Sequence, residues 1–226
     1  MMITLTILAA LLAPQKDPSS TREAMKPVQL LVGEWKAQVS SDDGKEEAWE
    51  ETQSWEYKIE KEEYALQFEA KGSKKFKSGV LGYDLKKKLY RLDAVRANDA
   101  KTSFEGKLSG KELHLEEVVD ANAAREKLGF TLLRDNRILI AVERKEAGKN
   151  NWAPSLSYAS TKQGVPFVRA AQTFCVVTGG TPSSTVDYKG VTYNLCCNSC
   201  RKEFLARPEE VIARAKKEGY LKAEMK

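Results

Sequence analysis

Four cysteines are the residues best equipped for chemistry in this 226-residue chain. Cys175 opens the run Cys-Val-Val-Thr-Gly-Gly, twenty residues intervene, and Cys196-Cys197-Asn198-Ser199-Cys200 follows. All four fall within 26 residues, and the 174 residues before them hold none. Thiolates gathered this way suit a soft or borderline ion such as Zn(II) or Cu(I). Zn(II) takes four tetrahedral ligands, whereas Cu(I) accepts two or three thiolates. Three other readings stay open. Four cysteines allow three disulfide connectivities, of which the one joining adjacent Cys196 and Cys197 would be strained. Free cysteine also packs as a small hydrophobe. Finally, Cys197-x-x-Cys200 ahead of a helix has the form of a redox pair, although the βαβ pattern of a thioredoxin fold is missing.

The flanking residues indicate how the cysteines are brought together. Thr185 to Asn194 alternates apolar and polar residues around Lys189-Gly190, which predicts a short hairpin that returns the first cysteine to the later three. Helical spacing is expected from Phe204 and Leu205 onward. The short polar turn around Asn198 and Ser199 predicts a partly accessible metal site, open to competition by soft ions.

Cysteine, about twenty residues, cysteine, three residues, cysteine is a pattern that resembles the YHS/TRASH family of small metal-binding domains. Cys175, Cys196 and Cys200 carry it here, with Asp187-Tyr188-Lys189-Gly190, Thr192-Tyr193, Lys202-Glu203-Phe204 and Pro208-Glu209 as matching flanks. The resemblance spans roughly residues 166–215. It implies a treble-clef-like metal knuckle and a role in heavy-metal binding, sensing or trafficking. Cys197 departs from many members of that family and leaves the fourth ligand open.

The chain begins with the apolar run Met1 to Ala13, too short to span a bilayer. Followed by Gln15-Lys-Asp-Pro-Ser-Ser, it resembles a secretory signal. No Lys or Arg precedes the run, so an N-terminal strand or helix buried in the core is the alternative. Export to a periplasmic or extracellular space is the expectation, with no transmembrane segment.

Hydrophobic residues make up 42% of the chain and charged ones 31%, the balance of an ordinary globular protein. The net charge of +5 is spread along the sequence. A nucleic-acid surface needs a concentrated basic stripe with aromatic residues, and the sequence has none. Residues 19–32 predict a short helix capped by Ser or Thr with Glu23 in its first turn, breaking near Pro27.

Ten strands are then expected: Glu34–Ser41, Ala48–Glu60, Tyr64–Ala70, Phe76–Leu85, Leu89–Arg96, Lys101–Leu108, Glu112–Val119, Glu126–Leu133, Ile138–Arg144 and Ser155–Thr161. Their 8–12-residue spacing predicts a sandwich or an up-and-down barrel. Leu31-Val-Gly33-Glu-Trp35 after a short helix resembles the Gly-x-Trp opening of calycin barrels, which selects the barrel and implies that Trp35 plugs its closed end. Trp49, Trp55, Tyr57, Tyr64, Phe68, Tyr83, Tyr90 and Phe104 either fill its core or line a cavity for a small apolar ligand.

His114, the only histidine, alternates with Leu113 and Leu115 and is expected on the polar face, which argues against haem. Nucleophile elbows, phosphate loops and His-Glu-x-x-His are missing, so no enzyme is expected. The whole therefore reads as a mainly β chain: a signal segment over 1–18, a calycin-like antiparallel barrel over 19–163, and an α+β treble-clef-like domain over 166–226. In that last domain Cys175, Cys196, Cys197 and Cys200 are the metal ligands. The partner is a heavy-metal ion, Zn or Cu(I).

Overall fold

The computed structural model describes residues 17–134, 136–164 and 174–221. The candidate signal segment up to residue 16, the junction at 165–173 and the last five residues lie outside them.

Apolar–polar alternation runs through ten consecutive strands: β1 (Gly33–Ser41), β2 (Trp49–Glu60), β3 (Glu63–Lys71), β4 (Phe76–Asp84), β5 (Leu89–Arg96), β6 (Lys101–Ser109), β7 (Glu112–Glu117), β8 (Arg125–Arg134), β9 (Arg137–Lys145) and β10 (Ala153–Lys162). Every other residue is buried, as in β1 and β9, because a strand turns successive side chains to opposite faces. Each strand pairs antiparallel with the next, and β10 returns to pair with β1, Trp35 opposite Lys162. The result is a closed up-and-down barrel with no free sheet edge over the paired lengths.

One end is closed by α1 (Thr21–Met25) and a 3-10 stretch over Lys26–Leu31. Ser20 caps α1 by accepting from the Glu23 N–H (3.2 Å), and Glu23 accepts in return from Ser19. That reciprocal arrangement stabilises so short a helix. The change of helix type falls just ahead of Pro27, which has no N–H to continue the α ladder. Met25, Val28 and Leu31 face into the barrel. Tyr90 donates to the Ala24 carbonyl (2.6 Å), and the Tyr64 N–H donates to Thr21 Oγ1 (2.9 Å). Trp35 is buried beside this cap and donates Nε1–H to the Leu31 carbonyl (2.6 Å), so it does plug the closed end.

The aromatic residues fill the interior. Trp55 stacks on Phe68 with ring centroids 4.6 Å apart, and Tyr57 meets Tyr64 edge-on. A cavity of about 30 Å³ remains toward the other end. That is far below the roughly 300 Å³ at which drug-sized ligand sites begin.

Beyond the barrel, β11 (Ser184–Tyr188) and β12 (Val191–Leu195) form the expected hairpin. Lys189 (φ 49°) and Gly190 (φ 78°) are both left-handed, as a two-residue turn matched to strand twist requires. Two helices follow, α2 (Asn198–Ala206) and α3 (Pro208–Lys217). Helix therefore begins earlier than the spacing of Phe204 and Leu205 indicated: Cys197 is extended and caps α2, which puts Cys200 in the first turn. Cys200 and Phe204, four apart, share the buried face, while Leu205 is exposed. Phe204 packs against Tyr188 and Tyr193. One continuous cluster of buried apolar side chains runs from the barrel into this C-terminal part. No helix among the described residues is long and apolar enough to cross a membrane.

Candidate metal centre

Three chain segments converge on the cysteines. Cys175 sits in a tight loop in which its N–H donates to the Gly180 carbonyl (2.9 Å) and the Gly179 N–H returns to its own carbonyl (2.7 Å). Gly179 (φ +75°) makes that loop, and a Cβ there would lie 2.4 Å from the Tyr220 ring, so both backbone and packing demand glycine. The Val176 N–H donates to the Asn194 carbonyl (2.9 Å), which ties the loop to β12. Cys196 and Cys197 follow β12 directly, and Cys200 rides on α2.

The sulfurs of Cys175, Cys196 and Cys200 all lie within 4.8 Å of one another. Cys196 Sγ is 3.5 Å from Cys200 Sγ and 3.9 Å from Cys197 Sγ. A tetrahedral ion with bonds of about 2.3 Å separates its sulfurs by about 3.8 Å. The spacing therefore fits a thiolate-bound ion. The four cysteines are unbridged here, with Cys196 Sγ 3.5 Å from Cys200 Sγ, beyond bonding distance.

Cys175 and Cys200 are fully buried, Cys196 nearly so, and Cys197 is the least buried of the four. The expectation of an accessible site is thus corrected for three of the four sulfurs. Asn198 and Ser199 do leave solvent open on their side, but the barrel covers the rest. Beyond Trp55, β2 outruns its pairing with β1, and α2 packs along that edge.

The surroundings favour negative charge. Hydrogen bonds from Cys196 and Cys200, joined by backbone N–H groups of Cys200 and Tyr57, overcome burial and draw the Cys197 thiol from its usual 9.0 down to about 3. Burial pushes Cys175 up, but hydrogen bonds from Cys196, Cys200 and Thr178 outweigh it and hold that thiol well below its usual range. Cys196 and Cys200 shift the other way, raised because they donate to those sulfurs. The N-terminus of α2 adds its partial positive charge. Burial and then the nearby sulfurs push the Tyr57 phenol up. Thr178 Oγ1 stands 3.5 Å from Cys196 Sγ.

No family model matches this chain, and no curated protein matches it. Among solved structures, Rv2717c from M. tuberculosis aligns over 62% of this chain and 97% of its own, at 11% identity and a TM-score of 0.41. That score carries no argument about function.

The sequence identified all four cysteines, and the structure gathers three tightly with Cys197 beside them. It did not identify Thr178 or the Tyr57 N–H. Thr178, three residues after Cys175 in the Val-Val-Thr-Gly-Gly run, carried a readable turn signal; Tyr57 carried none. His114 is exposed on β7, as expected, with its Nε2 3.2 Å from Glu112 Oε2.

A side-chain clamp holds the cysteine loop against the barrel cap. Arg22 of α1 donates to the Val177 carbonyl (2.9 Å) and to Glu218 Oε2 (2.9 Å) just past α3. Burial pushes the Glu218 carboxyl up, but hydrogen bonds from Arg22 and Tyr220 and the charges of Arg22 and Lys26 outweigh it, holding it at about 2 instead of 4.5. Its folded value lies below its unfolded one. The clamp's contribution is therefore complete above about pH 4.5 and is lost as the pH falls toward about 2. Glu218→Gln should flatten the acid side of the melting-temperature profile over that window. Metal release in acid is common to parent and variant, so their difference isolates the clamp. Parallel acid profiles would show that it contributes nothing.

Proposed function

We propose that this chain is a metal-binding protein that coordinates one Zn(II) or Cu(I) through Cys175, Cys196 and Cys200, with Cys197 as fourth ligand. In this reading its C-terminal part is a YHS/TRASH-like knuckle joined to a calycin-like barrel in an exported protein, and it is not an enzyme. One observation carries the proposal: thiols from either side of a 20-residue interval meet, buried and unbridged, at the spacing of a thiolate-bound ion. An apolar interior has little reason to bring ionisable sulfurs together unless something compensates their charge.

Cys197, the least buried of the four, gives the site its second property. A closed four-sulfur cage holds zinc structurally, whereas a ligand at the surface can swing away and admit a competing partner. Sulfur-only ligation favours polarizable Cu(I). Heavy-metal handling is accordingly preferred to a purely structural role. Titration of the zinc-loaded protein with buffered Cu(I), read by a zinc indicator, tests this. Stoichiometric zinc release is expected. Zinc that Cu(I) cannot displace would make the module a structural knuckle.

A further inference from the structure

The end of the barrel opposite α1 holds a second site, unrelated to the cysteines. Here β2 turns Trp49, Glu51, Gln53 and Trp55 toward the interior in a period of two. They form a hydrogen-bonded ladder. Trp49 Nε1–H donates to Glu51 Oε2 (2.9 Å), Gln53 Nε2–H to Glu51 Oε1 (2.7 Å), and Trp55 Nε1–H to Gln53 Oε1 (3.1 Å).

Glu51 is only 3% exposed and lines the 30 Å³ cavity with Trp55, Phe68, Phe76 and Tyr158. Both its hydrogen-bond donors are neutral, and no cation among the described residues pairs with it. The nearby cations Arg96 and Lys75 are engaged with other carboxylates. Arg96 bridges Glu126 (2.8 Å) and Glu117 (2.7 Å), and Lys75 pairs with Glu126, so two cations meet two carboxylates. Lys74, exposed at the rim, stands over the Trp49 ring instead. Glu51 is thus a buried carboxylate without a counter-charge, an arrangement that is costly unless a ligand completes it.

Tyr158 supplies an independent indication. It is 5% exposed, borders the same cavity, and its hydroxyl is buried with no hydrogen-bond partner. A phenol oxygen can accept an N–H as well as donate. The space holds about two waters, or two heavy atoms of a ligand. The aromatic walls attract positive charge through their faces.

We propose that this cavity binds a small primary ammonium ion, with Glu51 as its counter-charge and the Tyr158 hydroxyl accepting one of its N–H groups. Methylammonium is the probe that fits. Contacts of two heavy atoms limit its dissociation constant to the millimolar range. The full-length protein is titrated with methylammonium chloride, against sodium chloride at equal ionic strength and against methanol as the neutral molecule of the same size. Melting temperature and tryptophan fluorescence are followed, since Trp49 and Trp55 flank the carboxylate. A saturable rise in melting temperature with methylammonium alone is expected. Glu51→Gln should weaken it at least ten-fold. Tyr158→Phe, which leaves the ladder intact, should weaken it several-fold and decides the matter should Glu51→Gln fail to fold. The proposal is overturned if methylammonium gives no saturable effect, if methanol or sodium does as well, or if Tyr158→Phe binds like the parent. In the first case the cavity would hold only water.

Discussion

Cys200→Ser is expected to weaken metal binding by roughly two to three orders of magnitude. Zinc contributes about 10–16 kcal/mol to the folding of thiolate finger peptides, or about 2.5–4 kcal/mol for each of four ligands, which is a factor of roughly 10²–10³ in affinity. Cys200 is, like Cys175, fully buried, so water has no room to replace its sulfur, and it is carried in the first turn of α2. Cys197→Ser should cost less, about ten-fold, because Cys197 is the least buried of the four and water can take its place. The metal-to-protein ratio after gel filtration and a chelator competition measure both. Equal effects of the two substitutions would contradict the division between fully buried and less buried ligands. The barrel closes through β1 to β10 alone, so its far-ultraviolet circular dichroism should survive metal loss.

Phe204→Ala is the second large effect. The ring is fully buried, meets Tyr193 at 5.1 Å and Tyr188 at 5.9 Å, and carries the hairpin against α2. Truncating such a ring costs about 3–5 kcal/mol through lost transfer energy and the cavity left behind. Cys200 stands one helical turn away on the same face, so metal affinity should fall with the folded population of this part. Denaturant titration of the metal-loaded protein reads the loss. A change below about 1 kcal/mol would mean that the surroundings collapse into the space and that the ring does not hold α2 in position.

Much of the barrel was legible from local pattern. Alternation in stretches such as Tyr64-Ala-Leu-Gln-Phe68 fixes which face is buried, and all ten expected strands occur within a few residues of their bounds. Closure was not readable in the same way, since the pairing of Trp35 with Lys162 joins residues at opposite ends of the sheet. The cysteines were legible as a set because spacing alone brings them near one another. Their burial was not, because it comes from the β2 edge and from Arg22 reaching Glu218 across the sequence. Glu51 is different. It shares strand parity with Trp49, Trp55 and Tyr57, so an inward-facing carboxylate could have been read from period two alone.

The most direct test is to measure metal content and free thiols on the same purified sample. A thiolate centre predicts one ion per chain and four thiols titratable once the protein is denatured with a chelator, with the buried three protected before that. Protein that carries no metal and yields two thiols or none under denaturation would hold disulfides instead, and the metal centre would be refuted.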